Sequence, residues 1–109
     1  ISSFTVKSPH PGIGLSNALR AALVNAIKTA AQELGPDNIL LNAIAPGYID
    51  TDMVAAVPQD VLAKIVAKVP VGRLGQAQEI ARGVLYLVED EAGFVTGATL
   101  SINGGKYLA

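Results

Sequence analysis

Residues 42–53, which read Asn-Ala-Ile-Ala-Pro-Gly-Tyr-Ile-Asp-Thr-Asp-Met, decide the fold of this chain. They continue an apolar run that begins at Ile39, and the pattern turns polar directly after the corner Pro46-Gly47. Continuous apolarity without alternation predicts a strand that is covered on both faces, as in a parallel sheet flanked by helices. Because ligands of such sheets bind beyond the carboxyl ends of the strands, we expect the functional site in the loop after Ile44.

The corner Pro46-Gly47 has two interpretations from these residues alone. Proline fixes its own φ and lacks an N–H group, whereas glycine lets the backbone approach a ligand closely. The pair is therefore compatible with the wall of a ligand site and also with an ordinary turn from strand to loop.

Length and composition allow one domain at most. The chain has 109 residues, of which 50% are hydrophobic and 16% are charged. A unit of this size buries only a modest core, so we expect part of the apolar surface to contact another chain or another segment.

Several functional classes are disfavoured by what the sequence lacks. The net charge is -1 and Lys and Arg do not cluster along the chain, so the sequence does not predict nucleic-acid binding. With no cysteine and one histidine, it offers neither thiolate chemistry nor a recognisable metal site. No apolar run reaches the roughly 18 residues that span a bilayer, and Ile1-Ser2-Ser3 does not look like a signal peptide. We therefore expect a cytoplasmic protein that does not enter a membrane.

Helical periodicity alternates with strand-like runs along the rest of the chain. Apolar residues recur at intervals of three and four over residues 13–34, where a Gly-Pro pair ends the predicted helix. Shorter amphipathic patterns predict helices over residues 58–68 and 77–88. Residues 98–102 read as a strand that stops at an Asn-Gly-Gly turn. This order is typical of a parallel α/β arrangement without its opening half.

Four short motifs follow one another along the chain. They are Ile1-Ser2-Ser3, residues 42–51, Val71-Gly72-Arg73-Leu74-Gly75 with Glu79-Ile80-Ala81, and Thr96-Gly97 to Asn103-Gly104-Gly105. In this order they resemble the C-terminal half of a short-chain dehydrogenase/reductase of the 3-oxoacyl-acyl-carrier-protein reductase type. The resemblance implies an α/β fold, the C-terminal half of a doubly wound Rossmann-like parallel sheet. It also implies homo-oligomers, dimers or tetramers, that form through the long helix and the C-terminal strand.

We expect residues 1–109 to be the C-terminal part of a single Rossmann-type domain, with the N-terminal dinucleotide-binding half absent from this chain. The sequence contains neither a Gly-x-x-x-Gly-x-Gly nor a Gly-x-Gly-x-x-Gly phosphate-binding loop. Gly12-Ile13-Gly14 lies after Ser3 and enters the wrong helix for such a loop. The simplest interpretation is a fragment of a protein of about twice the size or more. The alternative, that these residues are the whole product, would leave strand edges exposed.

The resemblance assigns catalytic positions to Ser3, Ser16 and Arg20. Ser3 matches the family's catalytic serine, whose hydroxyl holds the substrate oxygen. The family then has a tyrosine thirteen residues later and a lysine four residues after that, and these positions are Ser16 and Arg20 here. A spacing of four places both side chains on one helix face, where a cation contacts the cofactor ribose and lowers the pKa of a neighbouring acid. A serine hydroxyl is much less acidic than a phenol, and a guanidinium does not readily relay a proton.

Another side chain could supply the proton. His10 lies on the loop between Ser3 and the long helix, and an imidazole titrates near neutrality, which suits general acid catalysis. The alternative is an ordinary surface histidine between two prolines. Tyr48 and Tyr107 are phenols with weaker positional claims.

The resemblance also implies a cofactor site formed by Arg20, Pro46, Gly47, Ile49 and Thr51. Pro46 and Gly47 would shape the wall beside a nicotinamide, and Ile49 would offer backbone groups to its carboxamide. Arg20 would contact the ribose, and the Thr51 hydroxyl would contact the amide or the pyrophosphate. Thr51 could equally cap the next helix.

Two further segments have assigned roles. By the same resemblance, residues 52–69 would correspond to a mobile lid that closes on the substrate, and their apolar stripe is equally consistent with ordinary packing. We interpret Arg73 and Glu79 as a scaffold without a chemical role.

Two functions remain open from the sequence. The first is an oxidoreductase that transfers a hydride between NAD or NADP and a small-molecule carbonyl or alcohol substrate. The second is a catalytically impaired homologue that binds nucleotide or forms oligomers. Ser16 in place of tyrosine favours the second function, whereas Ser3 and the Pro-Gly corner favour the first. The sequence selects neither the substrate, nor the cofactor, nor the number of subunits.

Overall fold

The computed structural model describes residues 1–108, which form six elements of regular structure and three short 3-10 helices. The helices are α1 (Gly14–Leu34), α2 (Asp52–Ala55), α3 (Gln59–Val66) and α4 (Ala77–Val88), and the strands are β1 (Ala43–Pro46) and β2 (Thr99–Ile102). The 3-10 helices are Phe4–Val6, Gly35–Asp37 and Asp90–Ala92. The three long helices lie where periodicity predicts them, and α4 has the predicted bounds.

The two strands pair in parallel, as the sequence predicts. Ala43 lies opposite Thr99, and Pro46 lies opposite Ile102. On the other edge of β1, the Ser2 N–H donates to the Ile44 carbonyl at 2.7 Å. Because the backbone groups of successive strand residues point to opposite edges, Ser2 lies on the edge of β1 away from β2. Both edges of β1 are therefore hydrogen-bonded to other segments.

The core lies around β1. Ala43, Ile44 and Ala45 are buried, which confirms that the strand is covered on both faces. Helix α4 packs against both strands, and a Cβ atom added at Gly83 would collide with the Ile102 side chain. The missing side chain thus lets the helix approach the sheet closely.

Helix α1 leaves most of its apolar surface uncovered. Only Val24 and Ala31 of this helix are buried. Leu15, Leu19 and Leu23, at intervals of four, remain 76%, 64% and 52% exposed. This face is therefore available to another surface.

The first strand starts later than the apolar run predicts. Leu41 donates its N–H to the Thr96 Oγ1 and accepts from the Gly97 N–H, and the Asn42 side chain bonds to the Val95 carbonyl and the Ala98 N–H. A side-chain amide thus takes bonds that a regular ladder would make, so β1 begins at Ala43 rather than at Ile39. Hydropathy cannot register this exchange, because Ile39 to Leu41 are as apolar as the strand itself.

Within residues 1–108, no helix is both long enough and apolar enough to cross a membrane. The cytoplasmic location stays a prediction.

Candidate active site

The chain remains ordered beyond the carboxyl end of β1. Ile49 forms an isolated parallel bridge with Gly75, in which Gly75 donates to the Tyr48 carbonyl at 3.0 Å and Asp50 donates to the Gly75 carbonyl at 2.8 Å. The Ile49 side chain fills the space beside Gly75, where an added Cβ would lie 2.7 Å from the Ile49 Cδ1. The loop after the strand is therefore held on one side by residues of the segment before α4.

This bridge leaves the backbone of Ile49 itself open. In a parallel bridge the neighbours of the central residue make the bonds, and the central residue points its own groups the other way. Neither the N–H nor the carbonyl of Ile49 has a hydrogen-bond partner within the described part of the chain. Two free backbone groups at the end of a strand can bind an amide from a ligand.

The packing of the two strand ends requires a glycine at position 47, whether or not a ligand binds. Its N–H donates to the Ile102 carbonyl at 2.9 Å, and a Cβ added to it would lie 2.8 Å from the Asn103 Cα. Any side chain here would push the loop after β2 away from the end of β1. The glycine therefore sets the distance between the two strand ends, and it also lines the cleft described next.

A cleft of about 460 Å³ opens beside these residues. Its lining consists of Ser3, Phe4, Thr5, His10, Ile13, Gly47, Tyr48, Ile49, Thr51, Met53 and Val54. The structure thus brings together five candidate residues from the sequence, namely Ser3, His10, Gly47, Ile49 and Thr51, with Tyr48 beside them. Pro46 lies at the end of β1 without lining the cleft.

Sequence reasoning missed the apolar wall of the cleft. Phe4, Ile13 and Met53 come from three separate segments, and the Met53 side chain is 84% exposed. No periodic pattern links these residues, so only the folded chain places them together. Their side chains suit an apolar part of a ligand next to the polar groups.

Ser3 presents a hydroxyl at the cleft from a fixed backbone position. It caps the 3-10 helix Phe4–Val6, with its Oγ accepting from the Thr5 N–H at 3.2 Å. This bond uses a lone pair and leaves the hydroxyl proton free for donation. The half-buried Ser3 can therefore donate to an oxygen atom in the cleft.

Ser16 and Arg20 lie outside the cleft lining. The Arg20 Nε donates to the Ser16 Oγ at 3.1 Å, and its Nη1 donates to the Ser2 carbonyl at 3.1 Å. Arg20 thus connects α1 to the segment that carries Ser3. Both side chains keep the one-face arrangement that their spacing predicts, but their bonds are to the protein itself.

His10 is exposed and lies at the edge of the cleft. Its Nδ1 is 2.8 Å from the Pro11 carbonyl oxygen, which can only accept, so Nδ1 carries the proton in this arrangement. The neutral ring then offers Nε2 as an acceptor, and it donates there only after a second protonation. The Asn17 side chain donates to the His10 carbonyl at 2.9 Å and fixes the loop to α1.

The two tyrosines differ in position. The Tyr48 ring packs at a tilt against the ring of Phe4, with centroids 5.4 Å apart. Phe4 directly follows Ser3 in the sequence. The Tyr107 carbonyl accepts from the Asn103 side chain at 2.9 Å, and Tyr107 does not line the cleft. Of the two, only Tyr48 contributes to the candidate site.

Thr51 stands at the N-cap position of α2 without capping it. Its backbone is extended, as at a cap, but its side chain makes no capping hydrogen bond. The capping interpretation is therefore wrong about the side-chain hydrogen bond, because the Thr51 hydroxyl makes none to α2. The hydroxyl remains available at the cleft wall.

Arg73 and Glu79 form a scaffold, as predicted. The guanidinium donates two hydrogen bonds of 2.8 and 2.7 Å to the carboxylate, which also accepts from the Gln76 N–H at 2.7 Å in a capping box for α4. The bonds from Arg73 first, and then the one from Gln76, lower the pKa of Glu79 from its ordinary value of 4.5 to about 2. This ion pair holds the segment that carries Gly75, the bridge partner of Ile49.

Comparison with known proteins agrees with this geometry. A family model described as enoyl-(acyl carrier protein) reductase matches residues 1–106. The chain is 46% identical to acetoacetyl-CoA reductase of Rhizobium meliloti, covering 100% of this chain and 46% of that protein. It is 48% identical to the 3-oxoacyl-[acyl-carrier-protein] reductase of Escherichia coli over 84% of this chain and 37% of that protein.

A solved structure shows the same fold. The crystal structure of 3-oxoacyl-[acyl-carrier protein] reductase from Brucella melitensis superposes with a TM-score of 0.93 at 42% identity. The superposition covers 99% of this chain and 41% of that chain, so the present chain spans less than half the length of these relatives. The parallel α/β arrangement of this chain is thus part of the Rossmann fold of these reductases, and the chain belongs to the short-chain dehydrogenase/reductase family.

Proposed function

We propose that the full-length protein is an NAD(P)-dependent oxidoreductase that transfers a hydride between a nicotinamide cofactor and a carbonyl or alcohol substrate. The observation that carries this proposal is the cleft beyond β1, where the Ser3 hydroxyl, the free backbone of Ile49 and the Thr51 side chain meet. The relatives are named as reductases of acetoacetyl-CoA and of 3-oxoacyl-[acyl-carrier-protein]. A 3-oxoacyl thioester is accordingly the substrate class that we propose.

We further propose that residues 1–109 form the C-terminal part of one Rossmann-type domain, with the dinucleotide-binding half outside these residues. The support is the coverage of the relatives, which is 46% for the reductase of Rhizobium meliloti and 41% for the crystal structure. Residues that select NAD or NADP would then lie in that other half.

The residues of the cleft fit a nicotinamide. The unpaired N–H and carbonyl of Ile49 match the acceptor and donor of a carboxamide, and the Thr51 hydroxyl can add a third bond. Pro46 and Gly47 form the adjoining backbone, and Gly47 lines the cleft while its missing side chain admits the Asn103 backbone on the other side. When bound, the nicotinamide supplies or accepts the hydride.

Ser3 orients the substrate in this proposal. Its free hydroxyl proton bonds to the carbonyl oxygen, which holds the carbonyl carbon in place and stabilises the negative charge that develops on the oxygen during reduction. The apolar wall of Phe4, Ile13 and Met53 covers the remainder of the substrate and excludes water.

The proton for the substrate oxygen has two possible sources on this chain. Ser16 and Arg20 stand at the family's acid and lysine positions, but their hydrogen bonds are internal and neither lines the cleft. His10 lines the cleft and donates from Nε2 only when its ring is doubly protonated. We propose that Arg20 positions the Ser2-Ser3 segment through the Ser2 carbonyl and that proton delivery falls to His10 or to water.

The named reductases favour this activity over that of an impaired homologue.

We propose in addition that the protein forms homo-oligomers through α1 and the C-terminal strand. The exposed Leu15, Leu19 and Leu23 form an apolar stripe that a second copy could cover.

Turnover of a thioester tests the function. Full-length protein is mixed with NADH or NADPH and acetoacetyl-CoA, and the loss of reduced-nicotinamide absorbance is followed. We expect oxidation of one of the two cofactors. Cofactor binding by fluorescence without turnover of any carbonyl or alcohol in a broad panel would overturn the oxidoreductase proposal.

A further inference from the structure

A second cavity of about 230 Å³ adjoins the candidate active site. Its lining is His10, Tyr48, Val61, Lys64, Ile65, Lys68 and Lys106, and we refer to it as the basic groove. His10 and Tyr48 line both the basic groove and the active-site cleft. One ligand can therefore extend from the cleft into the groove past these two side chains.

The positive charge of the groove is assembled by the fold. Lys64 lies in the last turn of α3, and Lys68 follows two residues after the end of that helix. Lys106 follows β2 after the turn that contains Gly104 and Gly105, both at positive φ. These cations do not cluster along the sequence, yet three of the eight Lys and Arg residues of the chain line one cavity. The net charge of -1 makes this a local concentration and not a general property of the surface.

Within residues 1–108, no carboxylate forms an ion pair with Lys64, Lys68 or Lys106. The ion pair of that part of the chain joins Arg73 to Glu79, and neither residue lines the groove. Three like charges around one small cavity repel one another, so an anion bound among them relieves that repulsion. Ammonium groups are well suited to phosphate because each donates up to three hydrogen bonds to its oxygens.

We infer that the basic groove binds a phosphate group of the carrier to which the acyl substrate is attached, while the 3-oxoacyl part lies in the adjoining cleft. This inference rests on the proposed function, since it requires a thioester in that cleft. The groove volume accommodates a phosphate group and not an extended polyanion. The shared lining by His10 and Tyr48 is our reason for assigning the occupant to the substrate molecule rather than to a separate ion.

Two carriers share this chemistry, namely coenzyme A and the phosphopantetheine arm of a carrier protein. The test compares full-length wild-type protein with the variant K64Q/K68Q/K106Q. Calorimetry measures the affinity for coenzyme A and for carrier protein bearing phosphopantetheine, both without cofactor. Lys28→Gln is the matched control, because Lys28 lies on α1 and lines neither cavity.

We expect the triple variant to bind at least one carrier about 10-fold more weakly or worse, and the control to bind as the wild type does. Wild-type affinity also falls steeply as salt rises from 0.1 to 1 M, where the screening length shortens from about 10 Å to about 3 Å. If the triple variant loses affinity for coenzyme A alone, the groove binds a phosphate group of coenzyme A. If it loses affinity for the carrier protein alone, the groove binds the protein-borne phosphopantetheine arm. Loss of affinity for both carriers identifies the phosphate that they share. Equal affinity of wild type and triple variant for both carriers overturns the inference.

Kinetics separate this inference from the proposed function. In the triple variant we expect a higher KM for acetoacetyl-CoA with unchanged kcat, and an unchanged KM for acetoacetyl-N-acetylcysteamine, a thioester without phosphate. If wild-type protein binds coenzyme A through the lysines but turns over neither thioester, the proposed function fails and the groove stands. If both thioesters turn over and the variant matches the wild type, the groove fails and the function stands. Each single Lys→Gln variant repeats the binding assay if the triple variant unfolds at a lower temperature.

Discussion

The Nε of Arg20 donates a hydrogen bond to the Oγ of Ser16, one turn earlier on α1, at 3.1 Å. A second nitrogen of the same guanidinium donates to the Ser2 carbonyl at 3.1 Å, next to Ser3. The two bonds connect the helix to the start of the cleft through a cation that does not release its proton. These bonds support a role for Arg20 in positioning the segment that carries Ser3. They do not support a role for Ser16 as a proton donor to a substrate.

Restoring the family's acid pair should increase turnover. We expect S16Y/R20K to raise kcat for acetoacetyl-CoA by about 100-fold, because a phenol beside an ammonium group is a far better proton donor than a serine hydroxyl. Steady-state kinetics of the full-length variant against wild type measure the change. Ser16→Ala is the control, and we expect it to leave kcat unchanged. A double variant that folds, binds cofactor and turns over no faster than wild type would show that positions 16 and 20 do not limit proton delivery.

Loss of the Ser3 hydroxyl should impair the reaction without affecting the fold. We expect Ser3→Ala to lower kcat/KM by about 100-fold, since the donor to the developing charge on the substrate oxygen is removed. Within residues 1–108 the Ser3 hydroxyl makes one hydrogen bond, from the Thr5 N–H, which caps a single 3-10 turn, so the melting temperature should change little. Ser8→Ala, in the same loop but outside the cleft lining, is the control. Activity of Ser3→Ala within twofold of wild type would remove Ser3 from the catalytic residues.

A side chain at position 47 should separate the two strand ends. We expect Gly47→Ala to reduce the free energy of unfolding by about 1–3 kcal/mol, because its Cβ would lie 2.8 Å from the backbone of Asn103. Gly14→Ala is the matched control, since no atom of another segment lies within 4 Å of an added Cβ at this first residue of α1, so we expect a change of less than about 0.5 kcal/mol. Urea unfolding of the two variants checks both values. If both substitutions had the same effect, the close approach at Asn103 would carry no energetic weight.

The Glu79 ion pair should make stability depend on acid. The folded-state pKa of about 2 lies below the ordinary value of 4.5, so the contribution of Glu79 is fully present above about pH 4.5 and is lost as the pH falls toward 2. Glu79→Gln keeps the amide oxygen that accepts from the Gln76 N–H and removes the charge. We therefore expect its melting temperature to fall less steeply than that of wild type between pH 4.5 and 2.

The control for this comparison is Glu33→Gln, because Glu33 lies on the exposed surface of α1 and forms no ion pair within the described residues. It should follow the wild-type acid profile. Parallel profiles for wild type and Glu79→Gln would contradict the depressed pKa.

The sequence predicts the elements of this fold better than their ends. Periodicity places α4 at its observed bounds, because the apolar stripe against the sheet is long and regular. It misplaces the start of β1, because the side chain of Asn42 makes the bonds of a ladder and no hydropathy pattern records that exchange. Of the two roles that the sequence leaves open for Thr51, the helix cap has the expected extended backbone but lacks the side-chain hydrogen bond.

The candidate site was predictable where a motif carries it and not where the fold assembles it. Ser3 and Ile49 come from family motifs, and the cleft brings them together. The spacing of Lys64 and Lys68 is visible in the sequence, but contacts between distant segments bring Lys106 to them and Met53 to the cleft. Whether Ser16 and Arg20 act in catalysis stays a prediction, because their place in the motif does not determine what they touch.

The bridge between Ile49 and Gly75 fixes the chain as far as the Asp50 N–H, while the Thr51 carbonyl already accepts from the Val54 and Ala55 N–H groups of α2. Rotation about the extended backbone of Thr51 would therefore change the direction of α2 while keeping both sets of bonds. We propose Thr51 as a hinge on this side of the cleft, which this residue also lines. A ligand that binds the Thr51 hydroxyl would contact the hinge residue directly. Ligand binding in the cleft and the orientation of α2 would then depend on each other through this one residue.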